Sequence, residues 1–324
     1  MIIDVDTYVK VATYVGCGLA MGFGAIGSAI GEGYTAAVAN EAISRNPKAT
    51  GDIFNTMLVG QAIAESASIF ALVIAMILLF NKVEHETIIS AAVALSSGLC
   101  MGTGAIGSGV GSGFPAAEAC RGIARQPSAS PAIKLNMLVG TAVCQTPSIF
   151  SLVTALILFF SDFSSHPAWP TFAAVIGAGV ASGIGAIGSG VGDGLVASSA
   201  AKGIARQPEC APVVTKMMLL GQAVTETTAI YGLLVSFILM FGTFHATDKI
   251  APGIALLSAG ICMGIGAIGS GVGEGITARS AVDWVSRNSE AAGQITRSML
   301  VGQAVAESTG IYSLVIALVL IFVV

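Results

Sequence analysis

Six carboxylic acids, Glu32, Glu65, Asp193, Glu226, Glu274 and Glu307, lie inside strongly apolar stretches of the sequence. An ionisable side chain at the centre of a bilayer costs at least about 2.5–3.5 kcal/mol on insertion scales, so its presence there points to function. The six form three pairs. The midpoint of Glu32 and Glu65, at 48.5, falls on the turn at Pro47 and Lys48, and the midpoints of Asp193 with Glu226 and of Glu274 with Glu307 fall at Glu209 and Glu290, all in short polar stretches. If the chain turns back at each midpoint, both acids of a pair share one depth in the membrane. Two facing carboxylates in a low dielectric cannot both stay ionised without a cation, and such a pair titrates as a unit. One proton with one cation leaves the pair without net charge. Ser66, Thr227 and Ser308, with Gln61, Gln222 and Gln303, add hard oxygen donors suited to Na⁺ or a hydrated proton; no Cys and His cluster offers the softer ligands of a transition metal. A protonated acid pair that merely ties two helices together would explain one such pair, and three in register favour ion binding.

The elements that position these acids repeat. Four glycine-rich segments begin at Gly27, Gly107, Gly188 and Gly269, and four related segments begin at Gly60, Gly140, Gly221 and Gly302, a period of roughly 80 residues. About 20 apolar residues cross the hydrocarbon core as a helix. The pattern predicts eight membrane-spanning helices, near 7–44, 52–80, 87–124, 132–160, 170–205, 213–242, 251–286 and 294–323. The fold class is therefore all-α membrane protein, built from four tandem helical hairpins at 1–84, 85–166, 167–247 and 248–324. The alternating strands of a membrane barrel are absent from the pattern. Of the 324 residues, 54% are hydrophobic and 10% charged, with a mean hydropathy of +0.86, which excludes a soluble globule and leaves lipid as the solvent. With 14 basic against 18 acidic residues there is no polybasic body, and no nucleic-acid partner is expected.

Alternate glycines disfavour a helix in water by about 1 kcal/mol each relative to alanine. In lipid the helix persists and the missing side chains let another helix approach closely. Small residues on more than one face of the first helix of each hairpin predict a crowded row of such helices. Eleven of the fourteen Lys and Arg residues lie in or beside the loops inside the hairpins, and Lys10, Lys82 and Lys249 lie on the other side. That asymmetry puts the inner loops in the cytoplasm and both termini outside. His85, His166 and His245 fall one to each linker, as solvated surface residues rather than a zinc site. The scattered Cys17, Cys100, Cys120, Cys144, Cys210 and Cys262 are expected as free thiols. Asp4 and Asp6 do not suit a signal or transit peptide.

Hairpin 2 breaks the pattern. Ser112 stands where Glu32 does and Gln145 where Glu65 does, so this hairpin carries no exchangeable charge, and Glu118 lies too far towards the loop to replace them.

These residues resemble the c subunit, or proteolipid, of rotary F-type and V-type ATP synthases and ATPases. The glycine-alternating first helix, the loops Arg45–Pro47, Arg125–Pro127 and Arg206–Pro208, and the Glu-Ser/Thr-Thr-x-Ile-Tyr run of the second helix in hairpins 3 and 4 carry the likeness, which covers essentially the whole chain, four times over. The resemblance implies copies of the chain assembled into a rotor ring, with no cofactor and Na⁺ or H⁺ as the transported ion. It implies Glu65, Glu226 and Glu307 as ion carriers that discharge beside an arginine of a static a-type subunit. It further implies Glu32, Asp193 and Glu274 as first-helix ligands, Ser66, Thr227 and Ser308 as neighbour-facing hydroxyls, and Ile63, Val224 and Val305 as backbone-carbonyl ligands. Thr228 and Thr309 match a water-holding position, and Tyr231 and Tyr312 the phenol bonded to the carrier. Two-carboxylate sites with such support favour Na⁺. Arg45, Arg125 and Arg206 are the expected contacts to the central stalk. The resemblance implies a non-catalytic subunit, a multi-pass protein of a bacterial cell membrane.

Hairpin 1 departs, with Ala67 and Phe70 where Thr and Tyr are expected, which weakens the sodium site expected there. Hairpin 4 lacks the loop proline, reading Arg287–Ser289. Hairpin 2 keeps Thr146, and its Pro147 lacks the N–H that would bond the carbonyl of Val143, the backbone-ligand position. Because sites of this family straddle neighbouring hairpins, hairpin 2 is expected to complete its neighbour's site through Val143 and Thr146. A secondary transporter, or a purely structural proteolipid, remains the alternative.

Overall fold

Each polar loop is a single extended residue followed by a tight turn. In the computed structural model, which describes residues 4–81 and 87–323, helix α1 (Val5–Arg45) stops at Asn46, whose φ of −140° and ψ of 80° suit a residue before proline. Pro47 then opens a 3₁₀ turn that leads into α2 (Thr50–Phe80). The same turn, at Gln126 and Pro127, joins α3 (Ile88–Arg125) to α4 (Ser130–Cys144), and at Gln207 and Pro208 joins α6 (Ala168–Arg206) to α7 (Ala211–Thr225). In hairpin 4, Asn288 adopts φ −143° and ψ 84° before Ser289 without any proline, between α9 (Ile250–Val285) and α10 (Ala292–Phe322). The packing of the hairpin enforces there what proline makes easy elsewhere.

Among the described residues, eight segments are long and apolar enough to cross a membrane. They are the eight helices expected, and two of them are interrupted at one residue each, which keeps helical φ and ψ. In hairpin 2, α4 ends at Cys144 and α5 (Thr146–Phe160) begins beyond Gln145; in hairpin 3, α7 ends at Thr225 and α8 (Thr227–Phe241) begins beyond Glu226. Pro147 accounts for the first break, since it has no N–H to continue the ladder. The second, at a carboxylate, has no proline.

The first helices α1, α3, α6 and α9 stand side by side in chain order, and the second helices cover the grooves between them. α2 lies on α1 and α3, α4 and α5 on α3 and α6, α7 and α8 on α6 and α9, and α10 on α9. Glycine decides how close the row can be. A Cβ placed on Gly31 would stand 2.2 Å from the carbonyl oxygen of Gly109, and one on Gly111 would stand 1.9 Å from that of Gly190. Along α3, Gly109 and Gly113 face back to α1 while Gly107 and Gly111 face forward to α6. This is why alternate positions must be small on both faces. At the two ends of the row the same positions are open: nothing lies within 4 Å of a Cβ on Gly33 of α1 or Gly269 of α9.

On the loop side the hairpins are tied by charge. Lys134 bonds Asp52 at 2.8 Å, Arg121 reaches Glu41 at 3.2 Å and Glu118 at 2.5 Å, and Arg206 bonds Asp283 at 2.9 Å. All six cysteines are unpaired. His166 is half-buried against Phe163 and His245 is exposed, whereas His85 and Lys82 lie outside the described residues. Among the described residues no group of three His, Cys, Asp or Glu side chains is placed to hold a metal ion.

Candidate ion-binding sites

Two reciprocal bonds set the level of each carboxylate pair. A serine one turn before the first-helix acid donates to the carbonyl just before the second-helix acid: Ser28 to Ala64 at 2.8 Å, Ser189 to Thr225 at 2.9 Å, Ser270 to Ala306 at 3.0 Å. A glutamine one turn before the second-helix acid donates Nε2 to the carbonyl of the first-helix acid: Gln61 to Glu32 at 3.2 Å, Gln222 to Asp193 at 3.2 Å, Gln303 to Glu274 at 3.4 Å. The members of each pair are thereby brought within electrostatic reach of one another. The carboxylate motifs by themselves do not single out these serines, although their recurrence in all four glycine-rich segments is the signal that could.

Asp193 and Glu274 are fully buried, and Glu226 and Glu307 partly so. Both carboxylate oxygens of Asp193, Oε1 of Glu226 and Oε1 of Gln222 are buried and accept no hydrogen bond from a described residue; neither do Oε2 of Glu274 and Oε1 of Gln303. Buried acceptors without donors are costly unless a proton or cation joins them. An all-oxygen cluster of this kind suits a hard cation.

The sites lie between hairpins. Tyr231 of hairpin 3 donates its phenol to Oε1 of Glu307 in hairpin 4 at 2.5 Å, with Thr227 in reach of the same phenol. Thr146 of hairpin 2 is in hydrogen-bonding reach of Glu226 in hairpin 3. Thr228 is drawn inward instead, its hydroxyl 2.8 Å from that of Ser189. Thr227, Ser66 and Ser308 each donate to the carbonyl three residues back, of Val224 at 2.8 Å, Ile63 at 2.6 Å and Val305 at 2.7 Å, so a hydroxyl and a carbonyl oxygen lie together on each helix. At the two open ends of the row, Glu65 of hairpin 1 and Val305, Thr309 and Tyr312 of hairpin 4 are exposed, and Glu32 is partly covered.

Hairpin 2 fills its own site. The amide nitrogen of Gln145 donates to Ser112 Oγ at 2.7 Å and to the carbonyl of Ile63 at 3.2 Å, so an N–H₂ group stands among the oxygens. The break beside it frees the N–H of Ser148, which turns to Ser108 Oγ at 3.2 Å, while the N–H of Gln145 points to the carbonyls of Ala142 and Val143.

Four stretches of the chain, residues 15–78, 95–158, 176–239 and 257–320, match the family model for the ATP synthase C subunit. The chain belongs to the ATP synthase C-subunit family. The K subunit of the A-type ATP synthase of Methanocaldococcus jannaschii is 31% identical over 231 residues, 71% of this chain and 96% of the relative. The ATP synthase c-subunit of Petrotoga mobilis is 57% identical over 68 residues, 21% of this chain and 71% of the relative. That of Thermotoga maritima is 53% identical over 79 residues, 23% of this chain and 93% of the relative. As a member of this family with eight apolar spans, the chain is an integral membrane subunit that translocates ions and catalyses no reaction of its own.

The three loop arginines of this proteolipid are not alike. Arg45 is paired to Glu41 of its own helix at 2.6 Å and Arg206 to Asp283 of the next hairpin, whereas Arg125 is exposed and makes no ion pair with a described residue. Severing the Arg206–Asp283 tie by Arg206→Gln, which leaves Asp283 paired to Lys202 and Arg287, is expected to cost about 1 kcal/mol or less; a larger loss of thermal stability in the purified chain would show the tie to be structural.

Proposed function

We propose that this chain is the rotor subunit of a rotary ATP synthase or ATPase, carrying Na⁺ in preference to H⁺ on Glu65, Glu226 and Glu307. The observation that carries this reading is the set of buried, donor-free oxygens around Asp193, Glu226 and Glu274, repeated at one membrane level. In it Glu32, Asp193 and Glu274 share the ion with the carrier of the same hairpin. Oxygens of the preceding hairpin complete the shell, among them the carbonyls of Val143 and Val224 and the hydroxyls of Thr146 and Thr227. The carrier gives up its ion beside an arginine of a static a-type subunit and reloads as the ring turns, while the inner loops, with Arg125 the freest of the three arginines, face the central stalk in the cytoplasm.

Ring closure follows the row. Gly27 and Gly31, Gly107 and Gly111, and Gly188 and Gly192 each meet the next first helix, whereas Gly269 of α9 has nothing within 4 Å and Gly273 meets only Ala306 of its own hairpin. A second copy supplies α1. Gly269→Leu is expected to leave the single chain folded, because nothing lies within 4 Å there, and to abolish the detergent-resistant ring. A ring of normal size from that variant would contradict closure at this face.

Three carriers in four hairpins alter the gearing. Each chain carries three ions past the static subunit where a full set would carry four. A charge crossing 100 mV is worth about 2.3 kcal/mol, so fewer ions per ATP make ATP hydrolysis a stronger pump and synthesis dependent on a larger gradient. The direct test of ion identity is carbodiimide labelling of the purified ring, because the reagent attacks protonated carboxyls. Slowing by millimolar Na⁺ at Glu226 and Glu307 is the expected result; labelling indifferent to Na⁺ at all three carriers would make this a proton rotor.

A further inference from the structure

The contacts between hairpins run in one direction. Tyr231 of hairpin 3 bonds Glu307 of hairpin 4, Thr146 of hairpin 2 reaches Glu226 of hairpin 3, and the Ile63 carbonyl of hairpin 1 accepts from Gln145 of hairpin 2. Gln222 and Gln303 reach back in the same sense, to the carbonyls of Gly140 at 3.1 Å and Gly221 at 2.9 Å. Each hairpin therefore equips the carrier of the hairpin that follows it. The position of Tyr231 is held by Phe70 in hairpin 1, Phe150 in hairpin 2 and Tyr312 in hairpin 4. Moved forward by one hairpin, these residues fall on partners that the repeat alone would not assign.

We propose that the three carriers are of two kinds: Glu65 and Glu307 each receive a phenol, from Tyr312 of a second copy of this chain and from Tyr231, whereas Glu226 faces Phe150 and receives none. This rests on the reading of the three acids as carriers and goes beyond it. The loss of Tyr in hairpin 1 then falls on Gln145, whose amide supplies its own donors, and takes nothing from Glu65. Tyr312 is 66% exposed and Val305 68% exposed at the open end of the row, as a face that completes a site on another copy must be in one chain. Oε1 of Glu226 is left without a donor, which fits a site that lacks the phenol present at Glu307.

The experiment is carbodiimide labelling of the assembled ring, mapped residue by residue at low ion concentration. A phenol donated to a carboxylate favours the ionised form, which the reagent does not attack. Removing one such bond is expected to speed labelling about tenfold, the worth of a hydrogen bond to a charged group. Tyr231→Phe should speed Glu307 and leave Glu226 unchanged; Tyr312→Phe should speed Glu65 and leave Glu307 unchanged; Phe150→Tyr should slow Glu226. In a Gln145→Glu background, Phe70→Tyr should slow position 145 and not Glu65. A change at the acid of the tyrosine's own hairpin, Glu226 for Tyr231→Phe or Glu307 for Tyr312→Phe, would overturn the assignment. Absence of labelling at all three acids in the unmodified ring would overturn the carrier reading instead.

Discussion

Replacing Glu307 by Gln is expected to lower ion occupancy at that site about a hundredfold and the ions carried by each chain from three to two, with the ring still formed. Hairpin 2 shows the limiting case, in which both acids are absent. At Gln145 the amide nitrogen occupies the space among the oxygens, bonded to Ser112 and the Ile63 carbonyl, and no carboxylate offsets a positive charge. A cation held at mid-membrane without that charge is disfavoured by about 2.5–3.5 kcal/mol, which is roughly a hundredfold in occupancy. Shape is nearly preserved, and the phenol of Tyr231, now bonded to Glu307, can donate as well to an amide oxygen. The ratio of ions taken up by vesicles to ATP hydrolysed measures the effect. An ion-to-ATP ratio equal to that of the unmodified complex would remove Glu307 from the carriers.

The second large effect is steric. Gly111→Ala is expected to destabilise the helix row by about 3 kcal/mol or more, at the upper end of overpacking, because the added Cβ meets backbone that no rotamer change can move. It would stand 1.9 Å from the carbonyl oxygen of Gly190 and 2.8 Å from its carbon, so α3 and α6 must separate along their length. Gly18→Ala is the matched control. Nothing lies within 4 Å of a Cβ there, and alanine favours the helix by about 1 kcal/mol relative to glycine. Thermal melting of the two purified variants should show Gly111→Ala strongly lowered and Gly18→Ala unchanged or raised. Equal melting would mean that the close approach of α3 and α6 is not what holds the row.

Much of this architecture was legible in the residues alone. Apolar run length gave the eight spans, and the recurrence of Gly-Ser-x-x-Gly gave four hairpins, because both are local properties set by the bilayer's thickness and the helix's rise. The polar turns were legible from Pro47, Pro127 and Pro208, which end one helix and start the next. At Ser289 the same turn forms without that signal. The break at Gln145 could be traced to Pro147, whereas the break at Glu226 follows no residue type that breaks helices.

The pairing of acids within a hairpin was also readable, since two residues equidistant from a turn must share a level. What the sequence by itself determined, then, was the membrane setting, the repeat, the depth of six carboxylates and the missing pair of hairpin 2. The tertiary structure alone decided which hairpin serves which acid. Tyr231 and Glu307 are 76 residues apart, and Gln145 and the Ile63 carbonyl 82 apart. A repeat with four nearly equal copies looks the same whether its members serve the acid before, beside or after them. The direction is set by how glycine faces interlock along the row, a property of packed helices that no single copy of the motif contains.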